Sequence, residues 1–306
     1  VVDGPGESGN GQSNYPGCTW FSSAVVNAST WNPYLLEKLG HTYAHQSIHN
    51  GLGGAYAPAM NTHRTPFGGR NFEYFSEDGF IGGKMGAAEV TGLQAEGVIV
   101  YVKHMAMNDN DTNRDGNITW FSEQAAREIM LKDYEITCHE IYVSDSKTES
   151  GKFVQGEGAL GIMASLNRDG ISQFHQGLYK NILRGEWGFN GMIITDGIGP
   201  SPWLMTPGVG LFGGVEGQLG GSDITTYEAY EGNATTTFYG RYLLRQAAKH
   251  MLYQSCHAAQ IASVPNTSWK SLWVATNVVF GLGIATAGVL LIVLPIVKHA
   301  KRKEEK

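Results

Sequence analysis

The sequence predicts an α/β fold arranged as a (β/α)8 barrel of the TIM type, complete or lacking some units, followed by a single transmembrane helix. Three observations support this prediction. Short apolar runs alternate with longer helical stretches, polar or glycine-rich residues follow each apolar run directly, and one long uncharged segment lies near the C-terminus. Alternating strands and helices are typical of a parallel sheet with right-handed crossovers, and several such units favour the barrel.

Four apolar runs are predicted as strands, namely Ala55–Met60, Val98–Val102, Leu160–Leu166 and Met192–Thr195. The helical stretches between and after them span residues 33–50, 79–96, 122–140, 172–187 and 239–262. A doubly wound sheet would show the same alternation, so the pattern alone leaves that fold open. The glycine-rich stretch 197–237 is predicted as loop.

Polar residues follow the predicted strands directly. They are Asn61 and His63, Lys103 and His104, Ser165 and Asn167, and Asp196. In a barrel, the C-terminal ends of the strands meet at one face, and that face carries the functional side chains. The sequence therefore predicts a pocket for a polar ligand such as a sugar at this face.

The distribution of charge argues against a nucleic-acid partner. The chain has 306 residues and a net charge of −6, and its last nine residues hold five Lys or Arg and two Glu, so the rest carries nine net negative charges. Contacts to phosphates need Lys and Arg. Three cysteines without a CxxC or Cys/His cluster predict neither a disulfide framework nor a metal site.

One segment is predicted to cross a membrane. Residues 273–297 contain no charged residue, and as a helix they would reach about 37 Å across a hydrocarbon core of about 30 Å. The positive-inside rule places the basic tail 298–306 in the cytoplasm and the body outside the cell, as a single-pass protein of the cell membrane. The predicted domains are then the barrel at 1–238, a C-terminal helix and linker at 239–272, the membrane helix and the tail.

Several segments resemble the barrel domain of glycoside hydrolase family 3, the β-glucosidase group. They read APAMNTHRTPFGGRNFEYFSEDGFIGGKM, VIVYVKHMAMNDNDTNR and LRGEWGFNGMIITDG, and the opening VVDGPG resembles the early Asp-Gly-Pro strand end of that family. These motifs follow one order and spacing over residues 1–196, and GRNFEYFSED is the most specific of them. The resemblance implies the same barrel fold that the alternation predicts.

The resemblance also implies a retaining, exo-acting β-glycosidase that removes terminal β-linked sugars from oligosaccharides without a cofactor. Carried over residue by residue, it implies that Asp196 is the nucleophile that forms a glycosyl-enzyme intermediate. It implies that Asp3, Arg70, Lys103 and His104 bind the hydroxyl groups of the sugar. From the residues alone, Arg70 and Lys103 could instead be buried partners of Glu73 or Glu77, which need not exclude sugar binding.

A second carboxylic acid must protonate the leaving oxygen. The resemblance implies that it is a Glu of a separate α/β-sandwich domain, for which the segment between the barrel and the predicted membrane helix is too short. We therefore expect the reversed domain order, with the sandwich domain ahead of Val1 and absent from this chain. The opening VVDGPGES, which lacks the charged and apolar regions of a signal peptide, agrees with missing upstream sequence. Glu7, Glu73 and Glu216 are alternatives within the chain.

Departures from the family pattern favour a second hypothesis. Gly197 follows the nucleophile where the family usually has an aromatic residue, Met105 stands where Phe is frequent, and Leu166 replaces a Tyr. The alternative is a catalytically incomplete sugar-binding or scaffolding module tethered to the membrane. A third hypothesis, a calcium-ordered adhesion segment, rests on residues 111–123, which approach a calcium loop but have Ser122 where a bidentate acid is expected.

Overall fold

The structure, a computed structural model, describes residues 2–3, 18–111, 119–165, 176–197, 207–219 and 237–258. The side chains of residues 2–3 and 207–209 lie outside this description. The chain divides into two units, Val1–Val264 and Pro265–Lys306, and all elements named below belong to the first.

The strands of the described part are short and mostly parallel. They are β1 Val2–Asp3, β2 Gly54–Tyr56, β3 Ile99–Val100, β4 Val102–Met105, β5 Glu140–Asp145, β6 Ser150–Gln155, β7 Gly161–Ala164, β8 Met192–Gly197 and β9 Gly217–Leu219. Pairing runs from β1 through β2 to β3, and from β4 through β7 and β8 to β9, always in parallel. A parallel bridge between Ala59 and Lys103 extends the β2 pairing to β4.

The strand order favours the barrel over the doubly wound sheet that the alternation left open. Among the described parallel strands, neighbours in space are neighbours in the chain, apart from the inserted antiparallel hairpin of β5 and β6. A doubly wound sheet reverses its order at a switch point, whereas a (β/α)8 barrel keeps the chain order. The α/β class is confirmed, and closure of the sheet into a complete barrel stays a prediction.

Helices lie between the parallel strands. They are α1 Ala24–Ala28, α2 Pro33–His49, α3 Gly79–Ala95, α4 Glu123–Ala125, α5 Lys132–His139, α6 Pro207–Gly213 and α7 Phe238–Cys256, with π-helical segments at Ala126–Met130 and Gly177–Glu186. Side chains cap four of these helices at the start: Asn32 accepts from the amide of Leu35, Asp78 from that of Phe80, Ser122 from that of Ala125 and Thr237 from that of Gly240. Such caps satisfy backbone donors that the first helical turn leaves unpaired.

Helices α2 and α3 cross closely because each has a glycine at the contact. A Cβ atom on Gly40 would lie 2.3 Å from the backbone oxygen of Glu89, and one on Gly92 would lie 2.1 Å from that of Glu37. The backbones therefore approach to a distance that any larger residue would prevent. This contact lies in the outer layer, and the buried apolar side chains beneath it form the core around the sheet.

Two local predictions were wrong or incomplete. The stretch predicted as loop, 197–237, contains α6 and β9 within its described residues. The glycines of α6 lower its helix propensity, and the three-residue β9 owes its conformation to pairing with β8, which a local pattern does not reveal. The hairpin of β5 and β6 was not predicted.

The predicted membrane helix lies outside the described residues, as do the end of the linker and the basic tail. In the described ranges, the structure has no helix that combines the length and the apolar character needed to span a bilayer. The membrane segment at 273–297 therefore stays a prediction.

Candidate active site

The predicted site residues come from β4, from β8, which is separated from β4 by β7, and from the segment after β2. Lys103 and His104 lie within β4 rather than after it, because that strand extends to Met105. Asp196 lies near the end of β8. Arg70 precedes the short 3-10 turn Asn71–Glu73, in the segment that follows β2. Because parallel strands end at the same edge of a sheet, these side chains meet at one face.

Asp196 faces the histidine of β4. The Oδ2 atom of Asp196 lies 3.7 Å from Nε2 of His104, and its Oδ1 accepts a hydrogen bond of 2.7 Å from the amide of Gly197. The Asp196 side chain is 18% exposed and that of His104 is 3% exposed. The carboxylate is thus held at the strand end, where a bound molecule could reach it, with a buried imidazole beside it.

Polar groups contact the backbone of His104 and both nitrogens of its ring. The side chain of Asn61 donates to the carbonyl oxygen of His104 and accepts from its amide, each at 3.0 Å. Nη2 of Arg70 lies 3.2 Å from Nε2, and the hydroxyl of Tyr74 lies 3.4 Å from Nδ1. The Tyr74 hydroxyl donates to the carbonyl of Asn108 at 2.6 Å. These contacts are satisfied together when Nδ1 carries the proton and Nε2 accepts from the guanidinium.

Glu73 pairs with both predicted sugar-binding cations. Nε of Arg70 donates to its Oε1, and Nζ of Lys103 lies 4.0 Å from its Oε2. Lys103 is 4% exposed and Glu73 is 5% exposed, whereas Glu77 is exposed. Of the two partners that the sequence allowed, the structure therefore selects Glu73. The pairing need not exclude sugar binding, because both cations carry further donor hydrogens.

Arg70 stays positively charged despite its burial. Burial alone would lower the pKa of its guanidinium, but charge interaction with Tyr74 and the hydrogen bond and charge of Glu73 raise that pKa above its ordinary value. The charge of Asp196 acts in the same direction. With Lys103, the site then combines two cations and two carboxylates, so the group carries no large net charge and suits a neutral polar ligand.

Asp3 is only partly placed by the structure. Its backbone ends β1, paired with Tyr56 of β2, and its side chain lies outside the described part. Leu166 and Asn167 also lie outside it, as does most of the stretch that resembles a calcium loop, at 112–118. In the ranges that the structure describes, no three His, Cys, Asp or Glu side chains form a group that could hold a metal ion.

Two of the three alternatives for the second acid are engaged elsewhere. Glu216 precedes β9, so it lies at the opposite end of the sheet from Asp196, and it pairs with Arg184 and His250. Glu73 is committed to its two cations. Neither of these two is placed as a proton donor facing Asp196 across a bound sugar, and Glu7 lies outside the described residues.

Sequence reasoning missed Tyr74 as a site residue. Its ring lies edge-on to His104, with centroids 6.3 Å apart, and under the guanidinium carbon of Arg70 at 5.9 Å. The residue stands in the motif GRNFEYFSED, but an aromatic residue in such a segment is equally typical of a core position. Only its contacts with the imidazole and the guanidinium show that it belongs to the site.

Known proteins share this arrangement of elements. The chain is 36% identical over 178 residues to beta-glucosidase A of Butyrivibrio fibrisolvens, covering 58% of this chain and 20% of that protein. It is 34% identical over 180 residues to an exo-alpha-(1->6)-L-arabinopyranosidase of Bifidobacterium longum, covering 58% and 22%. The structure of beta-glucosidase 3B from Thermotoga neapolitana in complex with glucose matches with a TM-score of 0.66 and 29% identity, over 80% of this chain and 33% of that one.

The chain therefore spans only about a fifth of the length of these curated relatives. The model of the glycosyl hydrolase family 3 N terminal domain matches residues 5–199, which is more than half of the chain and holds every predicted site residue after Asp3. The resemblance seen in the sequence is thus confirmed, and the chain belongs to glycosyl hydrolase family 3.

Proposed function

We propose that the chain is the nucleophile-bearing part of a retaining β-glycosidase that releases terminal β-linked sugars, β-glucose above all, from oligosaccharides. The observation that carries this proposal is the position of Asp196, a partly exposed carboxylate at a strand end, 3.7 Å from His104. The cations of Arg70 and Lys103 belong to the same group. A carboxylate beside hydrogen-bond donors suits attack on a bound pyranose.

In the first step, an oxygen of Asp196 attacks the anomeric carbon of the sugar. The bond from that carbon to the leaving oxygen breaks, and a glycosyl ester forms through a transition state with positive charge on the ring. The negative charge of Asp196 favours that transition state, and Glu73 offsets the charges of Arg70 and Lys103 that would oppose it. Water then attacks the same carbon, gives one proton to the carboxylate that the second acid has become, and releases Asp196 as a carboxylate.

The proton for the leaving oxygen must come from a second carboxylic acid. We propose that a separate α/β-sandwich domain supplies this acid. The commitments of Glu73 and Glu216 to other cations support this assignment. Closure of the barrel within residues 1–238, with the side chain of Asp3 at the same face as Asp196, belongs to the same proposal.

A trapping experiment tests the first step without the second acid. A 2,4-dinitrophenolate leaves without protonation, so 2,4-dinitrophenyl 2-deoxy-2-fluoro-β-glucoside requires only the nucleophile. We expect the full chain to release dinitrophenolate once per molecule and to gain one fluoroglucosyl unit on the peptide that contains Asp196, as read by mass spectrometry. Reversible binding without added mass would instead support the sugar-binding module. The same measurement with the matching α-L-arabinopyranoside probe shows whether the chain is also labelled by the sugar class for which one relative is named.

We further propose that residues 273–297 anchor the chain in the cell membrane as a single span, with the body outside and the tail 298–306 in the cytoplasm. The uncharged segment followed by five Lys or Arg supports this proposal. The full chain should stay with membranes after an alkaline carbonate wash, and protease added to intact cells should digest the body. Release by carbonate would contradict the anchor.

A further inference from the structure

A second pocket lies away from Asp196. It has a volume of about 350 Å³ and lies between the π-helical segment Gly177–Glu186, the turn before β9 and helix α7. Glu216, which lines it, directly precedes β9, and Arg184 donates to the carbonyl oxygen of Gly191, just before β8. The pocket is therefore at the N-terminal ends of these strands, whereas Asp196 lies near the C-terminal end of β8.

Three buried ionisable side chains form the inner wall of this pocket. Oε2 of Glu216 accepts from Nη2 of Arg184 at 2.8 Å, and its Oε1 pairs with Nδ1 of His250. Burial lowers the pKa of the Arg184 guanidinium, while the attraction and hydrogen bond of Glu216 act against that decrease. Because Arg184 also donates to two backbone carbonyls, the ion pair is a fixed polar surface.

Exposed aromatic rings form the outer wall. Tyr239 and Tyr242 stack with centroids 6.3 Å apart and planes 18° apart, and each is about half exposed. The ring of Phe212 lies 5.6 Å from that of Tyr239. Gln246 and Lys180 also line the pocket, adding an amide and an ammonium group to the two phenol groups. The pocket thus combines the apolar faces of aromatic rings with groups that can form hydrogen bonds to a small polar ring.

We propose that this pocket is a second sugar site, which binds one pyranose unit against Tyr239 and Tyr242. The C–H face of a pyranose packs on an aromatic ring, and its hydroxyl groups can bond to the amide of Gln246 and to the phenol groups. The choice of a sugar over other small polar rings rests on the proposed glycosidase function. A phosphate-like anion fits less well, because the carboxylate of Glu216 offsets Arg184 and the ammonium group of Lys180 already contacts the hydroxyl and ring of Tyr239.

The concave shape favours a small molecule over a protein surface. A stable protein partner would bury about 800 Å² of this face, over some twenty residues. The inner wall of the pocket is instead the ion pair of Arg184 and Glu216. A flat protein surface would not reach this ion pair, whereas a single sugar ring could contact it. Helix α7 carries Tyr239, Tyr242 and His250. A sugar bound in the pocket should therefore change hydrogen exchange in peptides of this helix.

Hydrogen exchange followed by mass spectrometry tests this proposal on the full chain, with methyl β-D-glucopyranoside as the probe. We expect the sugar to slow exchange in peptides of α7 and of residues 207–219. Tyr239→Ala combined with Tyr242→Ala should remove this protection or weaken the apparent affinity about tenfold, as loss of ring contacts implies. Gln246→Ala should weaken it less. Leu252→Ala, at a residue on α7 that is 65% exposed and does not line the pocket, is the matched control.

Peptides of β4 and β8 report separately on the site of Asp196, so the two proposals fail independently. Protection there without protection in α7 would overturn the second sugar site and leave the proposed function standing. Unchanged protection of α7 in the double tyrosine variant would also overturn it. Loss of a dimer in that variant, without any effect of sugar, would show that the rings form an interface between copies instead.

Discussion

Replacing Asp196 with asparagine is expected to abolish trapping by the fluoroglucoside and to lower kcat/KM for 2,4-dinitrophenyl β-D-glucopyranoside by on the order of a thousandfold or more. An amide of nearly the same shape keeps an acceptor for the amide of Gly197, so the fold should be retained. It cannot form the glycosyl ester, because its nitrogen is a poor nucleophile. The measurement is the initial rate of dinitrophenolate release, in a protein whose unfolding transition matches the wild type.

Two further variants make this result specific. Asp145→Asn, at an exposed position in β5, should leave the rate unchanged. Asp196→Gly opens space beside the anomeric carbon, so azide added to this variant should restore release of dinitrophenolate. In that reaction an azide nitrogen bonds to the anomeric carbon while the dinitrophenolate leaves, and the product is the α-glucosyl azide. Full hydrolytic activity in Asp196→Asn would show that another residue is the nucleophile.

Replacing Glu73 is expected to have the next largest effect. Glu73→Ala would remove the buried carboxylate that pairs with both Arg70 and Lys103 beside Asp196, and the more exposed Asp111, 4.0 Å from Arg70, would offset their charge less well. The attraction of the two cations for Asp196 would then increase and draw its carboxylate away from the sugar. We expect kcat/KM to fall about tenfold to a hundredfold, with a rise in KM and a fall in kcat together.

A change confined to stability would give a different result. Loss of one partner of a buried ion pair lowers the free energy of unfolding by about 3 kcal/mol or more. A fraction of the Glu73→Ala molecules could therefore be unfolded. Titration with the fluoroglucoside counts the folded sites, and a merely structural role would lower that count with KM unchanged. Glu73→Gln, which keeps an acceptor for Arg70, should retain more folded protein and still raise KM. Glu77→Ala, nearby and exposed, is the matched control.

The elements nearest the site could be predicted well from the sequence. Each predicted strand overlaps a strand of the structure, although the bounds differ, because runs such as Met192–Thr195 are buried on both faces and read as continuous apolar segments. The start of α3 follows from the cap at Asp78. By contrast, α6 and β9 are short and rich in glycine, so their local propensity is weak and pairing with β8 decides their conformation.

The sequence by itself determined the family, the alternation of strands and helices, and the residues that stand at the strand ends, since these depend on order along the chain. Only the tertiary structure decided that Glu73 rather than Glu77 pairs with the two cations, that Tyr74 contacts His104, and that Glu216 lies at the far end of the sheet. Each of these depends on how segments distant in the chain are brought together by strand pairing, and local sequence carries little information about such long-range contacts.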